Sequence, residues 1–241
     1  MRTLALLLLA ASVAGPAIAA VPARPAPAAP ADWSTRLAMT AQGGVLIGNP
    51  AAPVKLVEFG SLTCPHCRAF HAEGLPALKA QWLASGQVSY EYRPFSLNGI
   101  DLMAGLLVQC QAAGPAWALI DRIYERQELL VRPFMAIPEA ERTRIQGLAP
   151  EAQGAAMAEA GKLPEFAAAA GIPRARYDAC IAAPAGQDRL MAIRADAVQT
   201  HNLQGTPSFL INGKMQTDVY DWTSLKPLLA AAVAALPKRT K

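Results

Sequence analysis

Two cysteines separated by two residues, Cys64-Pro65-His66-Cys67, are the part of this chain whose residue types and spacing could do chemistry. A thiol reacts as its thiolate, and a helix N-terminus favours the thiolate by offering unpaired N–H groups and the positive end of the helix dipole. The pair stands where a helix should begin. Val57-Glu58-Phe59-Gly60 reads as a buried strand, Ser61-Leu62-Thr63 as a turn, and the residues from Cys64 onward as a helix. Thr63 is suited to cap that helix through its hydroxyl, and Pro65 suits the first turn, where its missing N–H leaves no bond unmade. His66 lies between the two sulfurs, where a proton or N–H on its imidazole would favour a charged Cys64. Cys64 is then the reactive thiol and Cys67, one turn on, the resolving one.

Other uses of such a pair fit less well. Half of a zinc site would need a second Cys-x-x-Cys or a His-x-x-x-His, and neither follows; only His66 and His71 lie nearby. Covalent haem attachment requires His directly after the second cysteine, and that residue is Arg68. A purely structural disulfide would close so short a loop that it would constrain the unfolded chain very little. No metal is expected.

Glu58 stands six residues before Cys64 on the preceding strand. It is either a surface-pointing strand residue or a buried carboxyl close to the dithiol, and the sequence pattern alone fits both.

The elements that must position this pair follow from hydrophobic patterning. Gly44–Gly48, Val54–Phe59 and Val88–Arg93 read as strands, and Leu75–Ala84 continues the helix that starts at Cys64. Trp33 to Gln42 reads as a short helix. From 98 to 202 the pattern is helical, with candidates at 102–113, 116–130, 139–146, 164–170, 174–182 and 187–202. Its alanine content gives helix propensity but little burial, so this block must dock on something else. Beyond it, Ser208–Ile211 and Lys214–Thr217 flank Asn212-Gly213, a strong hairpin signal. A final helix capped by Asp221 or Thr223 ends before Pro237.

The chain of 241 residues, 53% hydrophobic, suffices for one domain with a large core, or for one domain carrying an inserted subdomain. Its net charge of +4 is mild, its cations are scattered, and no nucleic-acid motif is present, so no nucleic-acid partner is expected. Arg2, the apolar run Leu4–Val13 and the small residues up to Ala19 read as a signal peptide over 1–19, with cleavage after Ala19. The apolar run is too short to cross a bilayer core. Residues 20–34 read as a Pro/Ala-rich tether, and Lys238–Lys241 as a solvated tail. Export would place the four cysteines in an oxidising compartment, where pairing is expected. Cys110 and Cys180, 70 positions apart in the helical block, then read as a second disulfide, with two separate buried thiols as the alternative.

The order strand, Cys-Pro-His-Cys helix, strand, helical insertion, Thr206-Pro207, hairpin, helix resembles the thioredoxin fold, and specifically the DsbA-like thiol:disulfide oxidoreductases of the bacterial periplasm. The resemblance covers about residues 45–236. It implies an α/β thioredoxin-like domain formed by 35–97 and 203–238, with the all-helical insertion at 98–202. It further implies a cis-proline loop at Thr206-Pro207 facing the dithiol and holding substrate backbone, and Glu58 as a buried proton acceptor for Cys67. Some alphaproteobacterial relatives carry a second disulfide in the insertion, as Cys110 and Cys180 would. No cofactor is implied. The implied partners are reduced exported polypeptides and a membrane quinone-linked oxidase that recharges the disulfide.

Thr206 is a departure, because the best-known oxidases carry Val there and isomerases of the same superfamily carry Thr. Those isomerases add an N-terminal dimerisation domain, for which residues 20–44 are too few, so the expectation is a monomeric oxidase. A reductase or isomerase on the same scaffold, or a peptide-binding module with a structural disulfide, are the other readings.

Overall fold

A computed structural model of the protein describes residues 32–237. The segment expected to be a signal peptide, most of the expected tether and the tail from 238 lie outside the described residues. Six strands form one mixed sheet: β1 (Leu37–Met39), β2 (Val45–Gly48), β3 (Val54–Gly60), β4 (Val88–Pro94), β5 (Ser208–Ile211) and β6 (Lys214–Met215), in the spatial order β1-β2-β4-β3-β5-β6. β3 and β4 are parallel and every other neighbouring pair is antiparallel. β3 is central and covered on both faces, which is why every residue of it except Lys55 is buried.

One face of the sheet carries Leu56, Glu58, Tyr90, Tyr92 and Phe209. It is covered by the helix that bears the dithiol, α1 (Pro65–Leu78), whose Phe70 ring lies 4.8 Å from that of Phe209. On the opposite face Phe59 meets His201 at 5.9 Å, and Arg93 donates to Glu91 and Asp196. Between β4 and β5 runs an all-helical insertion: α2 (Gly99–Gln109), α3 (Ala113–Glu125), α4 (Gln127–Met135), α5 (Glu139–Gln146), α6 (Pro150–Ala160), α7 (Leu163–Ala169), α8 (Arg174–Ile181) and α9 (Pro184–Ala195). The last helix, α10 (Trp222–Ala234), is capped by Asp221, which accepts from the Ser224 N–H at 2.8 Å. Among the described residues no helix is long and apolar enough to cross a membrane.

Several elements differ from the sequence reading. The short helix expected over Trp33–Gln42 is a single 3-10 turn (Trp33–Thr35) followed by β1. Leu37 and Met39 alternate with Ala38 and pair with Ile47 and Val45, so the ladder outcompetes an isolated helix too short to be stable alone. The helix expected over 116–130 is two helices, broken at Arg126, whose φ of −124° and ψ of 34° are not helical. Helix α6 had no apolar stripe to reveal it; it begins on Pro150 at its first position and is mostly alanine and polar residues. The helix that begins at Pro65 gives way to a π-helical turn at Lys79–Leu83, and α9 to another at Asp196–Thr200. In the hairpin, Asn212 and Gly213 both have positive φ, 50° and 80°, as a two-residue turn of the primed type requires, while β6 ends at Met215.

Candidate active site

The dithiol lies where the C-terminal end of β3 feeds the N-terminus of α1. Pro65 occupies the first helical position and Cys64 itself is the N-cap, so Thr63 does not cap the helix. The helix starts one residue later than a Thr63 cap would need. The Thr63 hydroxyl instead accepts from Asn98 Nδ2 at 3.0 Å. Both active-site cysteines are free thiols, Cys67 fully buried and Cys64 7% exposed.

Their surroundings treat them oppositely. The Cys64 thiol is lowered from 9.0 to about 5. The main cause is the hydrogen bond from the Cys67 thiol, which outweighs partial burial; the Thr206 side chain and the backbone N–H groups of Cys67 and His66 add to it. As a thiol, Cys64 donates to the Thr206 carbonyl at 3.2 Å. The Thr206 hydroxyl is buried without a partner in that state and is free to donate to the thiolate. Cys67 is pushed well above the ordinary thiol value, by burial first, then by the bond it gives Cys64 and by the charge on Glu58.

Glu58 is 1% exposed, which settles its position as interior. Tyr90 donates to its Oε2 at 2.5 Å. Burial raises its carboxyl from 4.5 to about 8, the Tyr90 bond opposing and the charge on Cys64 adding to the rise. The backbone of Gly60 makes room for this group: a Cβ there would lie 2.4 Å from Tyr92 Cε2 and 2.8 Å from Glu58 Oε1.

The Thr206–Pro207 bond is cis, immediately before β5, and places Thr206 against Cys64. Thus Glu58, Cys64, Pro65, Cys67, Thr206 and Pro207 converge on one place. The His66 side chain is exposed and its ring makes no hydrogen bond to either sulfur, so its contribution to Cys64 comes from its backbone N–H. Cys110 and Cys180 lie apart from this site, bonded to one another with Cα atoms 5.5 Å apart, joining the end of α2 to α8. Among the described residues no cluster of three or more His, Cys, Asp or Glu could hold a metal ion.

Sequence reasoning missed a shell of polar residues behind the turn. Asp101 accepts from the Ser61 hydroxyl and from the N–H groups of Thr63 and Leu97; Gln127 donates to the carbonyls of Leu62 and Cys64; Tyr124 donates to the Ser61 carbonyl. Asn98, three residues before Asp101, is a legible helix cap, but nothing in the pattern shows that Asp101 faces the dithiol turn.

The family model described as Thioredoxin matches residues 40–231. Among solved structures, the chain is similar to a protein-disulfide isomerase from Novosphingobium aromaticivorans, 33% identical with a TM-score of 0.73 over 78% of this chain and 96% of that one. It is also similar in fold to alpha-DsbA1 of Wolbachia pipientis, 18% identical with a TM-score of 0.62, covering 81% of this chain and 94% of that one. A relative from Rickettsia bellii (strain RML369-C), provisionally named protein-disulfide oxidoreductase, is 23% identical over 192 residues, 80% of this chain; the match spans 65% of that relative's length. With a Cys-x-x-Cys pair on the first helix of a mixed sheet and an all-helical insertion between β4 and β5, a fold it shares with the DsbA structure, the chain belongs to the thioredoxin family.

Proposed function

We propose that the protein is a thiol:disulfide oxidoreductase that introduces disulfides into exported polypeptides by exchange at Cys64 and Cys67. The observation that carries this reading is the asymmetry of the pair, with Cys64 lowered to about 5 and Cys67 raised well above its ordinary value. In the oxidised protein a substrate thiolate attacks Cys64 Sγ, the Cys64–Cys67 bond breaks, and its electron pair leaves on Cys67. Glu58, protonated up to about pH 8, supplies the proton that this buried sulfur needs, and accepts it in the reverse direction. A second substrate thiolate then attacks the substrate sulfur of the mixed disulfide and displaces Cys64 as a stabilised thiolate. The substrate has lost two electrons and the protein has gained them.

Stabilising the reduced form in this way makes the disulfide an oxidant. Thr206 and Pro207 border Cys64 as a rim along which substrate backbone would lie. The protein would act as a monomer in the periplasm after removal of residues 1–19, and a membrane quinone-linked oxidase would recharge it. A second reading, disulfide isomerisation, is favoured by Thr206 before the cis-proline and by the isomerase from Novosphingobium aromaticivorans.

The test is oxidation of a reduced, cysteine-containing secreted polypeptide by the oxidised protein. Stoichiometric thiol loss that disappears in Cys64→Ser, with peptide binding retained, supports the oxidase. Rescue of a scrambled substrate by the reduced protein without net thiol loss supports the isomerase, and unchanged function in Cys64→Ser removes both.

A further inference from the structure

Three successive helices of the insertion reach the turn that carries Cys64, each through a different polar side chain. From α2, Asp101 is 2% exposed. Its Oδ2 accepts from Ser61 Oγ at 2.9 Å and from the Leu97 N–H at 3.0 Å, and its Oδ1 from the Thr63 N–H at 3.0 Å. From α3, the Tyr124 hydroxyl donates to the Ser61 carbonyl at 3.1 Å. From α4, Gln127 Nε2 donates to the carbonyls of Leu62 at 2.9 Å and Cys64 at 3.0 Å. Residues 61–64 are thereby held through both their donors and their carbonyls by groups that lie 38 or more positions away in the chain.

A buried carboxylate is costly unless its oxygens are paired, and an apolar side chain would fill the same place more cheaply. Asp101 is paired, and its donors beyond its own helix are the turn before Cys64 and the strand exit at Leu97. Burial raises its carboxyl, with the donors from Ser61, Leu97 and Thr63 opposing. Fixing Thr63 matters because the next residue must present its sulfur to the N–H groups of His66 and Cys67. We propose that Asp101 is a positioning residue for the exchange reaction: it fixes the Ser61–Thr63 turn through the turn's donors so that Cys64 Sγ faces the helix-start N–H groups, and Gln127 holds the same turn through its carbonyls. The insertion is then the back half of the active site. This inference rests on Cys64 being the exchanging thiol.

The experiment is the pH profile of Cys64 alkylation by iodoacetamide in the reduced full-length protein, alongside its urea denaturation. Asp101→Asn keeps one acceptor oxygen and replaces the other with a donor that faces N–H or O–H groups. The expected result is a midpoint moved upward by about half a pH unit or more, so that the rate at about pH 4, below the midpoint, falls about threefold. The sign is diagnostic. If Asp101 acted only as a nearby negative charge, its removal would favour the thiolate and move the midpoint downward. A downward or unmoved midpoint, even with lowered urea resistance, overturns the proposal. Should Asp101→Asn not fold, Ser61→Ala and Gln127→Met remove single holds while leaving Asp101 itself in place, and two unmoved profiles overturn it equally. If the unsubstituted protein itself shows no acidic midpoint, the reading of Cys64 fails; if it does and only the variants stay unmoved, the assignment of Asp101 fails alone.

Discussion

The thiolate of Cys64 should make the stability of the reduced protein depend on pH in a way that the oxidised protein does not share. Its thiol is lowered from 9.0 to about 5 in the folded chain. A group whose folded value is depressed stabilises the fold in full above its unfolded value, and loses that contribution as pH falls through the folded one. The window is therefore from about 9 down to about 5, and at pH 7 only the part between 5 and 7 is realised. That part amounts to about 2.7 kcal/mol, and solvent screening on the open side of Cys64 lowers it to no less than about 1.3 kcal/mol. Cys67, raised rather than lowered, stays a thiol across this range and adds nothing.

The perturbation is selective reduction of the Cys64–Cys67 pair with the Cys110–Cys180 bond intact, and the assay is urea denaturation of both redox forms at pH 4 and pH 7. Glu58 titrates in both forms, and burial, the main cause of its rise, is common to them, so its effect largely cancels in the difference. The reduced form should gain about 1.3–2.7 kcal/mol on the oxidised form between pH 4 and pH 7. A difference below about 0.5 kcal/mol, or one of opposite sign, would mean that the helix start and its neighbours do not hold a thiolate.

Glu58 carries the opposite sign. Its folded value is raised from 4.5 to about 8, so the fold is most stable below 4.5 and loses stability as pH rises toward 8. Comparing oxidised forms at pH 4 and pH 8 by denaturation, the unsubstituted protein should lose on the order of 4 kcal/mol and Glu58→Gln little of it. The same variant should slow the release of Cys67 from the disulfide, read by stopped-flow mixing with a thiol. Gly60→Ala would drive a methyl group into Tyr92 and Glu58, and should cost about 1–3 kcal/mol in urea denaturation. Replacing Cys110 and Cys180 by Ala should cost about 2–4 kcal/mol in the same assay, because their bond closes a long loop of the unfolded chain.

Apart from the Cys110–Cys180 pairing and what the family resemblance implied, what could be read in the sequence was what is local. The Cys64–Cys67 spacing, the strand before it and the proline in the first turn lie within a dozen residues and report one strand–helix junction. Asn212-Gly213 likewise announces its own turn. Glu58 stayed ambiguous because a single acid on a strand has two possible faces, and only the packing of Tyr90 and α1 decides which. Asp101, Tyr124 and Gln127 were invisible for a different reason: each is an ordinary helical polar residue until the insertion folds back on the turn at 61–64. Helix α6 lacked an apolar stripe, and β1 is defined by its partner β2 rather than by its own three residues.

A pair poised to give up its disulfide shows this in its reduction potential, measured for Cys64–Cys67 against a glutathione buffer with a variant lacking Cys110 and Cys180 as control. A stabilised Cys64 thiolate predicts a value toward about −120 mV, the oxidising end for such couples, whereas one near about −270 mV would mark a reductant and contradict the account.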